Sequence, residues 1–233
     1  GRASVTVTTS TIRDRVSHDR IRLDASLVPT TTLAETQVGS LSASIGAIRM
    51  TGGRVKGVVQ ASGALDDPLR AGSIFVDLAI VEGSVSASKH GKVTLLRTPV
   101  SGNVTAGDSS NAPGTVNIFA SDVFGNVQAV GSGLIQIEGF NSIGGSGTAL
   151  LASGDSRVTV ANGATVRGNV FAIGESRIAI SNVAKIDGDA FAEESATLSL
   201  SHTSVRNVGA FADSTLNMGL TSALSVTVDR GTV

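Results

Sequence analysis

One seven-residue phrase recurs along this chain and restricts its fold more than any other feature. Its form is apolar-x-Gly-x-apolar-x-Ala, as in Val55-Lys-Gly57-Val-Val59-Gln-Ala61 and Val81-Glu-Gly83-Ser-Val85-Ser-Ala87. It returns at Val100 to Ala106, Val123 to Ala129, Val166 to Ala172 and Ile186 to Ala192. Weaker copies span Val38 to Ala43, Ile143 to Ala152 and Val205 to Ala212. Between successive phrases lies a second alternating pair, Ile48-Arg-Met50, Ile74-Phe-Val76, Val93-Thr-Leu95, Val116-Asn-Ile118 and so on to Leu198-Ser-Leu200. From about residue 150 the step is 20, carried by Leu151, Phe171, Phe191 and Phe211, by Ala152, Ala172, Ala192 and Ala212, and by Val160, Ile180, Leu200 and Leu220.

Alternation with period two means strands with one buried face. Two or three such strands per 18 to 26 residues, joined by Gly, Ser, Asn and Asp turns, make one coil of a stacked repeat. A single coil cannot bury its apolar face, so it stacks on the next about 4.8 Å away through parallel ladders. The Ala at a fixed place in every coil suits a narrow interior. No helical stripe competes, and a sandwich or closed barrel would not hold residue identity in register at a fixed step. The sequence therefore predicts an all-β fold, a parallel β-helix (β-solenoid) of about 20 residues per coil, right-handed by the bias of parallel crossovers. About 11 coils fit, a rod on the order of 50 Å. Val59, Val85, Val104, Val127 and Val170 are expected inside, with Ala106, Ala129, Ala172 and Ala192.

The coil assignment divides the chain into 1–37, an N-terminal cap or irregular first coils, and a rod over 38–233. Val5-Thr-Val7 and Ile21-Arg-Leu23 look like strand pairs, and the alternating charges from Arg13 to Arg22 suit an exposed strand or cap. Two long insertions, Ser62 to Ser73 and Gly107 to Thr115, follow the same Ala of the repeat and should leave the rod on one edge.

Composition removes several classes of function. Charged residues are 16% and net charge is −1, unlike a disordered chain or a nucleic-acid binder. There is no Trp and no Tyr, which removes the usual stacking platforms for sugars and bases. There is no Cys, hence no disulfide, thiolate zinc site or cysteine nucleophile. The longest nearly apolar run, Ile74 to Val81, is far short of a membrane span. No leader peptide is visible, and a start at Gly suggests a processed chain or a fragment.

The Gly-Asn-Val-x-Ala phrases at Gly102, Gly125 and Gly168, with the alternating pairs after them, resemble the β-solenoid repeats of exported bacterial surface proteins. Filamentous-haemagglutinin-like adhesins and autotransporter passengers are of this kind. The pattern is similar also to phage tail-spike solenoids and to bactofilins, although bactofilin coils are more uniform and lack such insertions. The resemblance implies a rod for display, attachment or assembly on a cell surface or virion, in an extracellular setting. It transfers no catalytic residue.

Chemistry-bearing motifs are scarce. No nucleophile elbow, phosphate loop, dinucleotide fingerprint or zinc-protease motif occurs, and no cofactor is expected. His18, His90 and His202 are scattered; His202 continues the 20-residue step of Asn162 and Asn182, as in a polar turn ladder. Asp66 and Asp67, with Asp108 in the other long loop, are the candidates for a ligand or ion, or else ordinary turn residues beside Pro68. Asp187 and Asp189 flank a turn Gly and should point outward. Residues 1–100 carry +4 and residues 101–233 carry −5, a polarity that suits oriented contacts.

The outlying feature is aromatic. In earlier coils the residue between the inward Val and Ala is Gln60, Ser86, Thr105 or Gln128; later it is Leu151, Phe171, Phe191 and Phe211. An outward row of this kind predicts an oligomer interface, with a trimer favoured over a dimer. The functional expectation is a non-enzymatic rod of an adhesin or virion fibre, with a cell-surface glycan or receptor as its expected outside partner. The alternatives are a polysaccharide-binding or -cleaving tail spike and a bactofilin-like polymer.

Overall fold

The computed structural model describes residues 4–8, 11–17, 30–110, 112–139, 141–145, 147–183, 185–230 and 232, with side chains from Thr31 onward. Among them no residue is helical. The chain winds into a β-solenoid of about 10 turns, successive turns about 20 residues apart. Two long parallel sheets, one of 11 strands and one of 13, run the length of the stack, with a short sheet of 3 strands on a third side.

The alternating pairs form the first sheet. Gly72–Asp77, Lys92–Leu96, Thr115–Phe119, Leu134–Glu138, Arg157–Ala161, Arg177–Ser181 and Thr197–Ser201 pair in register, with Ile74, Val93, Val116, Ile135, Val158, Ile178 and Leu198 inward. The ends of the seven-residue phrases form the second sheet. Val59 pairs with Val85, then Val104, Val127, Leu150 and Val170, while Ala61, Ala87, Ala106, Ala129, Ala152 and Ala172 form the next rung position. All of these inward residues are buried, as the alternation requires. The Ala column leaves room for the branched side chains of the facing sheet, so a two-layer core closes without aromatic rings. Each Val, Ile or Leu so buried contributes about 1.5–3 kcal/mol.

Both long insertions connect the second sheet to the first at one corner: Ala61 to Gly72 and Ala106 to Thr115. The sequence placed them together correctly. The ladders also take in Ser4–Thr8, Thr11–Ser17 and Thr30–Ala34, upstream of residue 38, the second with a register shift against Gln37–Ala43. Ile21-Arg-Leu23 and His18 lie outside the described residues.

All three 20-residue columns slip at the C-terminal coils, that of Phe211 included. Ala192 pairs with Ala210, not Ala212, and Leu200 pairs with Met218, not Leu220. The coil there is two residues shorter: one is lost between His202 and Val205, and one between Val205 and Val208, where the Gly that breaks earlier coils at Gly168 and Gly188 is absent. Without that Gly, Ser204–Phe211 runs straight through the corner as one eight-residue strand. Leu220 consequently sits at an outer corner with φ 50 and 81% exposed.

Candidate functional site

The outward row on the second sheet is the feature least like a plain scaffold. Gln128, Leu151, Phe171 and Phe191 occupy one register position on four successive strands. Phe211 does not: the residue opposite Phe191 is Gly209. Phe211 lies two residues on and leans back over Gly209, where a Cβ would come 2.6 Å from Phe211 Cε2 and 2.7 Å from Phe191 Cδ1. The glycine is thus the vacancy that admits the ring. Ring centroids lie 5.6 Å apart for Phe171 and Phe191 and 5.9 Å for Phe191 and Phe211, tilted by 36° and 46°. These spacings are in the favourable aromatic range. The stack shields its own members, so Leu151 and the three Phe are partly buried rather than fully exposed.

Of the carboxylates singled out from sequence, Asp67, Asp108, Asp187 and Asp189 are engaged in turns and ion pairs. The Asp67 carboxylate accepts the Leu69 N–H at 3.0 Å and meets Arg70 Nε at 3.3 Å, while Asp66 is exposed. Asp108 accepts from the Ser110 N–H at 2.7 Å and from the Ser110 hydroxyl. That hydroxyl holds the Asp108 carboxyl below its ordinary range. No hydrogen bond joins Asp108 to the loop of Asp66 and Asp67; the turn of Lys89 and His90 lies between their coils. Among the described residues no three His, Asp or Glu side chains gather closely enough to hold a metal ion. Asp187 pairs with Lys185 at 2.7 Å, and Asp189 takes a two-pronged contact from Arg206 at 2.8 and 2.9 Å.

Polar columns bind coil to coil, and sequence reasoning missed most of them. Asn103 Oδ1 accepts the Asn126 N–H at 2.9 Å, and Asn169 Oδ1 accepts the Asp189 N–H at 3.0 Å. The Asn of the Gly-Asn-Val phrase is therefore a bracket for the next coil. At the corner entering the first sheet, Gly46, Gly72, Gly91, Gly114 and Gly133 stand in one column in the early coils. Ser156, Ser176 and Ser214 follow in the later ones, donating to the carbonyls of Ala129, Ala152 and Ala192, each at 3.0 Å. Asn162, Asn182 and His202 share a left-handed corner, with φ 64, 51 and 50, as their step suggests. Their N–H groups donate to Ser181, Ser201 and Gly219 of the following coil. Compared with protein families, with curated proteins and with solved structures, the chain finds no match.

Proposed function

We propose that this chain is a non-enzymatic structural rod, of the adhesin or virion-fibre kind, that associates with copies of itself through the face of Leu151, Phe171, Phe191 and Phe211. The observation that carries this reading is the ring stack itself, three Phe side chains on an outer sheet face where earlier coils place Gln and Ser. Outer aromatic side chains of a soluble protein concentrate at interfaces. Polar side chains at the corners, such as Ser156, Ser176, Asn103 and Asn169, bond one coil to the next, which suits a scaffold. An extracellular setting, on a cell surface or virion, is part of the same proposal.

The test is the mass in solution by light scattering, for the native chain and for Phe171→Ser, Phe191→Ser and Phe211→Ser combined. The reading expects an oligomer that falls to monomer in the triple variant. A native monomer at every concentration, or an unchanged mass in the folded variant, contradicts it. Reducing ends released from a capsular polysaccharide would instead establish the tail-spike alternative.

A further inference from the structure

The corner joining the second sheet to the first carries two charged columns in the later coils. Asp155 and Glu175 stand in the turns, and Arg157 and Arg177 open the strands Arg157–Ala161 and Arg177–Ser181. All four are exposed. Arg157 pairs in register with Arg177, so the guanidinium groups are anchored one rung apart, about 4.8 Å. Like charges on adjacent rungs are unfavourable unless something opposes them. The four side chains line one shallow polar groove, acids along one bank and arginines along the other.

Of the other arginines whose side chains are described, five are matched, while Arg167 and Arg230 make no ion pair among the described residues. Arg54 meets Glu82, Arg70 meets Asp67, Arg97 meets Asp77, Arg206 meets Asp189, and Arg49 lies 4.8 Å from the Phe75 ring centroid. Arg157 and Arg177 make no ion pair among the described residues, and neither do Asp155 and Glu175. Two unmatched columns of opposite sign thus run side by side.

Symmetry decides what can match them. A two-fold axis along the rod, lying between the columns, sets acid against arginine on both sides at equal height. A three-fold axis along the rod does the same, each acid column meeting the arginine column of the next copy. A two-fold axis across the rod would set acid against acid. A free anion would meet the carboxylate bank as well as the arginines, so a sulfated or phosphorylated ligand fits less well than a second copy.

We infer that a second copy of this chain packs along this corner, parallel and in register, with Asp155 facing Arg157 and Glu175 facing Arg177 of its neighbour. This rests on the self-association reading, because the Phe face adjoins the corner: Phe171, Ile173, Glu175 and Arg177 follow at two-residue steps. The rings would then form the apolar centre of the contact and the charges its rim. Closed rotation about the rod axis ends the assembly without a fibre.

The chain has no Cys, so introduced thiols are its only ones. Asp155→Cys and Arg157→Cys chains, carrying tags of different size, are mixed and oxidised. The expected product is the mixed cross-linked pair, in preference to either self-pair. Arg157→Glu with Arg177→Glu should weaken association by on the order of tenfold or more. Adding Asp155→Arg and Glu175→Arg should restore it, since swapped columns match again; this rescue separates lost contact from lost folding. Preferential cross-linking of Asp155→Cys to Asp213→Cys would mean antiparallel packing and overturn the inference. So would an unchanged mass in the charge-reversed double variant. If that variant stays associated while the Phe triple variant dissociates, the inference falls and the Phe reading stands. A native monomer removes both. Binding of a sulfated oligosaccharide by a monomer, lost with Arg157 and Arg177, would assign the groove to an anion instead.

Discussion

At the scale of single residues, this fold is held in register by small side chains at corners. A Cβ on Gly114 would overlap the carbonyl of Ala87, and one on Gly133 that of Ala106. These are backbone atoms, which cannot swing aside. Gly114→Ala is therefore expected to destabilise by about 1–3 kcal/mol in a denaturant titration. Later coils use the same corner differently, with the Ser176 hydroxyl donating to Ala152 and accepting the Ile173 N–H, each at 3.0 Å. Ala196 interrupts the Ser column. Ala196→Ser should restore the bond to the preceding coil and stabilise by about 1 kcal/mol, read as a raised Tm. Asp189 offers a pH test. The Arg206 guanidinium, with help from Asn207, holds its carboxyl below the ordinary value near 3.8. A carboxyl lowered in the folded state stabilises above its unfolded value, and that contribution is lost as pH falls through the lower folded value. The Tm gap between the native chain and Asp189→Asn should therefore be constant above pH 5 or so and close below about pH 4. A gap that persists to lower pH would assign the effect to packing. Of these details, the Asn and His corner was legible, because a 20-residue step of Asn suits a left-handed turn. The Gly-to-Ser column was also present, as a Gly or Ser just ahead of the alternating pairs from Ile48 onward, Ala196 excepted. Its meaning needs the neighbouring carbonyl, which sequence does not display.

At the scale of elements, alternation decided nearly everything. Inward and outward positions of each strand followed from period two, and the two sheets followed from two alternating segments per coil. The facing sheets must share one narrow core, so a charge there has no partner within reach. Val170, paired with Leu150 and Ala190 and fully buried, is the sharpest site. Val170→Asp is expected to cost more than about 3 kcal/mol and to abolish cooperative unfolding by circular dichroism. A variant that melts like the native chain would mean that the coil interior is wet. The failure at the last coils has a local cause. Residue identity at 20 places Phe211 and Ala212 in line with Phe191 and Ala192, whereas strand pairing puts Gly209 and Ala210 there. The coil loses one residue with the corner Gly and one more before Val205, and the resulting two-residue slip preserves inward and outward faces, so alternation alone does not reveal it. Phe211 still reaches the stack because Gly209 leaves space beneath it. The row that sequence drew as an exposed ladder is consequently a self-shielding one.

At the scale of the whole molecule, the rod is a set of columns, and its surface reads as stripes: an aromatic stripe, then an acid one, then a basic one round the same corner. The aromatic stripe was legible because it breaks the polar pattern of earlier coils. The charged pair was not, because Asp155 and Arg157 look like ordinary turn residues until every other ion pair is placed. Side-by-side association through these stripes thickens the rod and leaves its length unchanged, whereas end-to-end growth lengthens it at constant thickness. Small-angle X-ray scattering separates the two. Side-by-side association gives a particle whose cross-sectional radius exceeds that of the Phe171→Ser, Phe191→Ser, Phe211→Ser monomer while its long dimension remains on the order of 50 Å. A particle of monomer cross-section, whether the native chain is a single rod or a lengthening filament, would contradict it.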